Sequence, residues 1–263
     1  MADSTHRARL TPLTLHTFAT APNPAKIAIA LELLQIPYQI KIWEFGADPD
    51  RGVKSAKFAP LSENGRVPVL EDPNTGVTAW ESGAVMSYLR RLYDKEDRIL
   101  GLAGKTSDAV VSEQDRVDFE KWELLLLTTV GPMSGQLVFF THYHPTQIPD
   151  AIERYAQQVY RCYDLLEGQL AKSKGRSIIP GGVTAVDLHW IVWTSQPHFL
   201  GLSLDRYPLM QKWISNIVSM KEVQNAFKKI QEAAIAAGTA NMDADGNIKG
   251  ADQSLLRAVR EGN

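Results

Sequence analysis

The sequence predicts a mixed α/β half followed by an all-helical half, an α/β plus all-α chain. Three observations carry this reading. The first part runs strand, helix, strand and then strand, strand, helix. From Asp94 to Ser107, charges and glycines break the pattern. Beyond that stretch the apolar residues recur at helical spacing and strands stop. The boundaries that follow are residues 12–94 for the mixed domain, 95–107 for a linker, 108–236 for the helical domain and 237–263 for a tail.

Leu13 to Phe18 alternates apolar and polar side chains, the signature of a half-buried strand. Ala19 to Pro24 is a proline-rich loop. Ala25 to Leu34 is apolar at helical spacing until Gln35-Ile36-Pro37 stops it. Tyr38 to Trp43 alternates again, and Phe45 to Ser55 reads as a polar loop with one helical turn. Val67 to Leu70 is a short strand beginning at a proline, which cannot donate to a ladder and so belongs at a strand start or edge. Turn chemistry at Asp72 to Gly76 leads to a second short strand, Val77 to Trp80, and then to a periodic helix, Ser82 to Leu92. A helix between two strands calls for a parallel crossover, whereas the later two strands pair as a hairpin.

In the second half, Val110 to Phe140 is a long helix bent near Gly131-Pro132. Ile148 to Ala171 follows, with Ile152, Tyr155, Val159, Cys162, Leu165, Leu166 and Leu170 on one face. Thr184 to Asp187 reads as a capping box that opens a third helix. Tyr207 to Ser219 and Glu222 to Ala236 give two more.

With 263 residues, 44% of them hydrophobic, 22% charged and a net charge of −2, the composition is that of an ordinary globular chain. No basic excess points to nucleic acid or to a membrane surface. The longest continuous apolar runs, such as Leu124 to Leu127, fall short of the roughly 20 residues that span a bilayer. Met1 to Leu10 has two arginines and no apolar core, so it does not read as a secretory signal. The single cysteine, Cys162, excludes an intramolecular disulfide framework. The default expectation is a reducing, cytoplasmic location with no membrane or nucleic-acid partner.

Glu81 and Ser82 sit where a strand ends and a helix begins. A helix N-terminus presents unpaired backbone N–H groups and partial positive charge, which suits a carboxylate. A glutamate beside it can take an ammonium group. Together they make a receptor for the two charged ends of an amino acid, although the pair also reads as a simple helix cap.

Val67-Pro68, Glu81-Ser82 and Thr184 to Asp187, in that order, resemble the cis-proline motif, the γ-glutamyl motif and the N-capping box of the glutathione S-transferases. Ala21-Pro22-Asn23 with Lys26, Gly131-Pro132-Met133 and Ile152-Glu153-Arg154-Tyr155 are similar to one branch, the fungal nitrogen-regulator-like and bacterial nu-type transferases. The resemblance covers residues 12–235. It implies a thioredoxin-like N-terminal domain, the family's helical C-terminal domain, and a homodimer with one glutathione site per subunit.

The resemblance also implies roles. Val67 would pair with the cysteinyl backbone beside a cis Pro68, and Arg66 would meet the glycyl carboxylate in a charge-assisted contact. Glu81 and Ser82 would grip the γ-glutamyl end, which Arg161 would approach from the partner subunit. The loop from Phe18 to Lys26 lacks the tyrosine, serine or cysteine that steadies the thiolate in many transferases. Relatives with Thr-Pro-Asn use the threonine and the asparagine. This chain has Ala21 in place of that threonine and keeps Asn23, whose amide can donate to a thiolate. Asn23 also reads as a helix cap, and Thr20, displaced by one residue, is a second candidate for the catalytic role.

Other residues have blander readings. Cys162 lies mid-helix on an apolar face and reads as a buried thiol, because reactive cysteines need electropositive, accessible surroundings. His142 and His144 would not share a helix face and lack a third partner, so no metal site is expected. Gly181-Gly182 lacks the Lys-Ser/Thr of a phosphate loop and is a turn. Asn241, Asp243, Asp245, Gly246 and Asp252 fall at calcium-loop positions, but with Asp252 for the usual glutamate and Lys249 nearby they read as a linker to a short helix, Gln253 to Arg260. Aromatic residues of the helical half read mostly as core, with Met133, Phe140 and Tyr143 as candidates for a substrate pocket.

The expected function is a glutathione-dependent transferase presenting the thiolate to a small hydrophobic electrophile, in secondary metabolism. Two alternatives stay open: a glutathione-dependent cis–trans isomerase of a conjugated alkene, and a non-catalytic regulator that binds glutathione or a ligand. The regulator reading is weakened by the shortness of Met1 to Thr11, which holds no asparagine-rich extension.

Overall fold

The structure, a computed structural model, describes residues 10–95, 97, 99 and 112–239. The calcium-loop positions 241–252, the tail helix Gln253 to Arg260 and most of the expected linker lie outside the described residues. The chain divides into two compact units, Met1–Arg98 with Met220–Asn263, and Ile99–Ser219.

The first unit is built on four strands, β1 (Leu13–Thr17), β2 (Tyr38–Ile42), β3 (Val69–Asp72) and β4 (Val77–Trp80), in the order β2-β1-β3-β4. β1 and β2 are parallel, joined by helix α1 (Pro22–Leu33). β3 runs antiparallel to β1 and forms the hairpin with β4, and α2 (Ser82–Tyr93) follows. The crossover and the hairpin are those the sequence predicts. Phe45 to Ser55 forms turns, with an isolated bridge between Glu44 and Gly52.

α1 is buried continuously from Pro24 to Leu31, which requires cover on more than one side. β1 covers one side, α2 another and the last helix, α8 (Lys221–Ala236), a third. Sequence spacing groups residues 222–236 with the helical domain; by packing, α8 belongs to the sheet unit. The sequence shows that this helix has an apolar stripe of Val223, Ala226, Ile230 and Ala234. What it packs on is a long-range matter. Lys229 fixes the contact from outside: its Nζ lies 2.5 Å from Glu32 Oε1 and 4.6 Å from the centroid of the Tyr38 ring. The Tyr38 hydroxyl donates to the same carboxylate at 2.8 Å.

Asp72 ties the hairpin to α2. Its carboxylate accepts from the hydroxyls of Tyr88 (2.5 Å) and Tyr93, and from the backbone and side-chain nitrogens of Asn74 (both 2.9 Å). Burial disfavours the ionised form, but these donors outweigh it and hold the Asp72 pKa below the ordinary range.

The second unit opens with α3 (Glu113–Leu125), capped by a reciprocal box between Ser112 and Asp115. It continues without a break through a π-helical turn, Leu126–Val130, then α4 (Gly131–Val138) and a second π-helical turn, Phe139–Tyr143. Where the sequence predicts a bend, at Gly131-Pro132, the helix has a widened turn. Proline at 132 has no N–H, and its ring would crowd the carbonyl four residues back. A wider turn relieves that crowding, and the Gly131 N–H bonds five residues back, to Leu126 O.

By length and composition this run, Glu113–Tyr143, could cross a bilayer. Its early turns, however, carry Glu113, Asp115, Arg116, Asp118, Glu120 and Lys121, and Phe119, Trp122, Leu126, Val130 and Leu137 form one buried stripe. That is the pattern of a bundle helix.

α5 (Pro149–Ala171) buries Val159, Cys162, Tyr163, Leu166, Gln169 and Leu170. Leu165, expected on that face, is 48% exposed, and Tyr163 takes the inward position. α6 (Ala185–Thr194) and α7 (Pro208–Val218) complete the unit.

The capping box of α6 is present: Asp187 Oδ2 accepts from the Thr184 N–H at 2.8 Å, while Oδ1 accepts from the Ile178 N–H and from Trp213 Nε1, each at 2.8 Å. Burial pushes the Asp187 carboxyl up to about 6 against the pull of these donors. Glu167 on α5 caps α7 in turn, accepting from the N–H groups of Leu209 and Met210 at 2.9 Å each.

Candidate functional site

Strand register decides which predicted residues meet. His16 pairs with Val69, and Val69 pairs with Trp80. The last residue of β1, the first of β3 and the last of β4 therefore lie at one end of the sheet. Just beyond that end come three segments: Phe18 to Asn23, Arg66 to Pro68, and Glu81 to Ser82. Thr20, Asn23, Arg66, Val67, Pro68, Glu81 and Ser82 are thus gathered at one edge of the first unit.

The Val67–Pro68 peptide is cis. Pro68 is buried and Val67 half-buried, and Arg66 is exposed. Ser82 is the first residue of α2 and is 5% exposed. Glu81 precedes it with φ 67° and ψ 116°, in a left-handed region that a non-glycine residue rarely adopts. Its carboxylate accepts from Asn64 Nδ2 at 3.3 Å, and the Asn64 carbonyl accepts from Lys54 Nζ at 3.0 Å.

The helix-cap readings of Asn23 and Glu81 do not match the geometry. The N-cap of α1 is Ala21, which has no side chain able to cap, and Asn23 lies inside the first turn. Glu81 is the N-cap of α2 but makes no side-chain cap bond. α3 and α6, by contrast, both carry capping boxes. Two helix N-termini without side-chain caps thus converge on one sheet edge. The first-turn N–H groups of such ends suit anionic groups.

Below this edge lies a cluster of Trp43, Val53, Phe58 and Val69, with Phe18, Leu61, Val67 and Trp80 packed against it. Each of the three site segments thus has a member or an immediate neighbour in one apolar cluster. Sequence reasoning missed Lys54, Asn64 and Trp43. Lys54 and Asn64 come from an irregular stretch with no periodicity to read, and Trp43 read only as one more inward strand residue.

A family model described as glutathione S-transferase, N-terminal domain, matches residues 15–97. The glutathione S-transferase-like protein tpcF of Aspergillus fumigatus is 32% identical over 221 residues, spanning 80% of this chain and 92% of that protein. The chain belongs to the glutathione S-transferase family. Among solved structures, a glutathione transferase homolog from Lodderomyces elongisporus, with two glutathione molecules per subunit, superposes with a TM-score of 0.73 at 26% identity. The match covers 83% of this chain and 99% of that one. The transferase URE2P6 from Phanerochaete chrysosporium, in complex with oxidised glutathione, gives 0.72 at 27% identity, covering 84% and 97%. These relatives agree with the branch that the motifs indicate.

In the second unit of this family member, the remaining predicted residues lie on two helical runs. Met133 on α4 is half-buried. Phe140 stacks on Tyr155 (5.7 Å between centroids) and on His144 (5.3 Å), and Tyr143 is 67% exposed. His142 stacks on Phe199 at 4.4 Å, with Nε2 2.6 Å from the Phe199 carbonyl. Arg161 is exposed on α5, one residue before Cys162. Cys162 is buried, and burial pushes its thiol up, which is the reverse of what a nucleophile needs. Among the described residues, no group of three His, Cys, Asp or Glu side chains is placed to hold a metal ion.

Proposed function

We propose that this protein is a glutathione-dependent transferase, acting as a cytoplasmic homodimer and presenting the glutathione thiolate to a small hydrophobic electrophile of secondary metabolism. The observation that carries the reading is the convergence of α1, the cis-proline segment and α2 on one sheet edge. Relatives of the same fold were crystallised with glutathione. In this reading the first turn of α2 and Ser82 take the γ-glutamyl carboxylate, and Glu81 takes the ammonium group. Val67 pairs with the cysteinyl backbone and Arg66 meets the glycyl carboxylate. Arg161 of one subunit approaches the γ-glutamyl end bound by the other.

Asn23, in the first turn of α1, would donate its amide to the sulfur. A free thiol titrates near about 8.5, and each unit of depression needs about 1.4 kcal/mol of preference for the anion. One charge-assisted bond supplies about 1.5–3 kcal/mol. Asn23 can therefore bring the thiol close to neutral pH, with the helix end adding to its effect. The thiolate then attacks the electrophile: at an epoxide or activated alkene a proton is taken up, and at a disulfide one sulfur departs as a thiolate. Met133, Phe140 and Tyr143 are the proposed lining for the apolar part of the electrophile. Reversible addition to a conjugated alkene, rotation and elimination would give a cis–trans isomerase from the same groups.

One observation favours the non-catalytic alternative. Ala21 leaves the thiolate without the second hydroxyl donor of the related Thr-Pro-Asn loops. Isothermal calorimetry with glutathione is the deciding experiment. Binding at millimolar or lower concentration supports the site, and no binding overturns it. Product analysis then separates the activities, because isomerisation leaves substrate mass and the glutathione pool unchanged.

A further inference from the structure

His16 lies beneath the sheet edge, and the proposed chemistry gives it no task. β1 sends Leu13, Leu15 and Thr17 to one face and His16 to the other. There the imidazole is 1% exposed. Its Nε2 lies 2.7 Å from Glu71 Oε2, and its Nδ1 lies 2.9 Å from Trp43 Nε1. An indole nitrogen can only donate. Nδ1 must therefore offer a lone pair, and the ring proton sits on Nε2, donating to Glu71.

A second proton has nowhere to go without cost. It would set an N–H on Nδ1 against the N–H of Trp43, and the indole would have to withdraw. Trp43 belongs to the apolar cluster below the site, with the Phe58 ring edge-on at 4.7 Å and Lys41 Nζ over its face at 4.9 Å. Phe18, Val67 and Trp80 pack against that cluster. Phe18 begins the loop that carries Thr20 and Asn23. Val67 precedes the cis proline, and Trp80 precedes Glu81.

We infer that His16 is a positioning residue for the tripeptide site: its neutral ring pins Trp43, and Trp43 sets the three segments that hold glutathione. Protonation of His16 loosens all three together. The charged groups around the ring are Glu71 on β3 and Lys41 on β2; the loop residue facing it, Phe58, is apolar. Burial lowers the His16 pKa from its ordinary value, Glu71 partly offsets this, and Lys41 adds to the lowering. The neutral form is thus the resident one at neutral pH, and the change comes on acidification. This inference rests on the glutathione reading above.

The test is calorimetry of the full chain with S-methylglutathione, which has no thiol to ionise and whose other charges hold between about pH 7 and about pH 5. The affinity of the unaltered protein should fall about fivefold or more across that window, the lower end of usual coupling strengths. His16→Asn places an amide oxygen near Nδ1, accepts from Trp43 and cannot gain a proton, so its affinity should be flat. If that variant does not fold, Trp43→Phe removes the opposing donor and should flatten the profile in the same way. The indole N–H resonance of Trp43, assigned by its loss in Trp43→Phe, should shift with pH in the unaltered protein. No binding at about pH 7 overturns the glutathione reading and this inference with it. Binding that stays flat to about pH 5, or that falls equally in the variants, overturns the inference alone.

Discussion

Asn23 and Asp187 illustrate how differently one side chain can matter. Asn23 is a first-turn residue whose proposed effect falls on a bound sulfur rather than on the fold. Asn23→Ala should raise the pKa of bound glutathione's thiol by about 1–2 units, the equivalent of one charge-assisted hydrogen bond. Ultraviolet titration of the thiolate in the complex measures this, and an unchanged pKa removes Asn23 from the mechanism. Asp187, buried under donors from Ile178, Thr184 and Trp213, carries fold stability. Asp187→Ala strands those donors and should cost about 3 kcal/mol or more, whereas Thr184→Ala should cost about 1 kcal/mol, the usual effect of a lost cap. Urea denaturation of the two variants compares them. The capping box was legible because it is local, a spacing of three residues. The third donor, Trp213, was not, since it comes from a helix 26 positions away.

At the scale of elements, α8 shows how an amphipathic stripe predicts a helix without predicting its seat. Its inward residues cover α1, and its exposed Lys229 pairs with Glu32 and Tyr38. Magnitudes separate the two contributions. Ile230 is 5% exposed, so Ile230→Ala should cost about 2–5 kcal/mol in thermal or urea unfolding. Lys229 is about half exposed, and Lys229→Ala should cost about 1 kcal/mol or less. Equal costs would mean that the surface pair, not the buried stripe, seats the helix. The same logic explains Leu165. Spacing puts seven positions of α5 on one face, but Leu165 lies too far round the helix from the others, and Tyr163 takes the inward place.

For the molecule as a whole, the proposed homodimer makes a direct prediction. Val117 and Leu124, seven residues apart on α3, are 51% and 53% exposed, and two such side chains project from nearly the same side of a helix. A dimer that buries them should dissociate when both are replaced by aspartate. Sedimentation velocity should then show a monomer with unchanged circular dichroism; a persistent dimer would place the interface elsewhere. Long-range contacts of the kind His16 makes with Glu71, 55 positions away, belong to this scale too. Neither residue announces the other in the sequence.

The order of strands and helices, the hairpin and the Thr184–Asp187 capping box followed from the sequence alone. Each depends on side chains within one helical turn, one strand or one tight turn of each other. The tertiary structure decided which unit α8 completes, that the long helix widens into a π-helical turn before Pro132, and that Trp43 donates to His16. Those outcomes depend on strand register and on packing between residues far apart along the chain, where local periodicity carries no information.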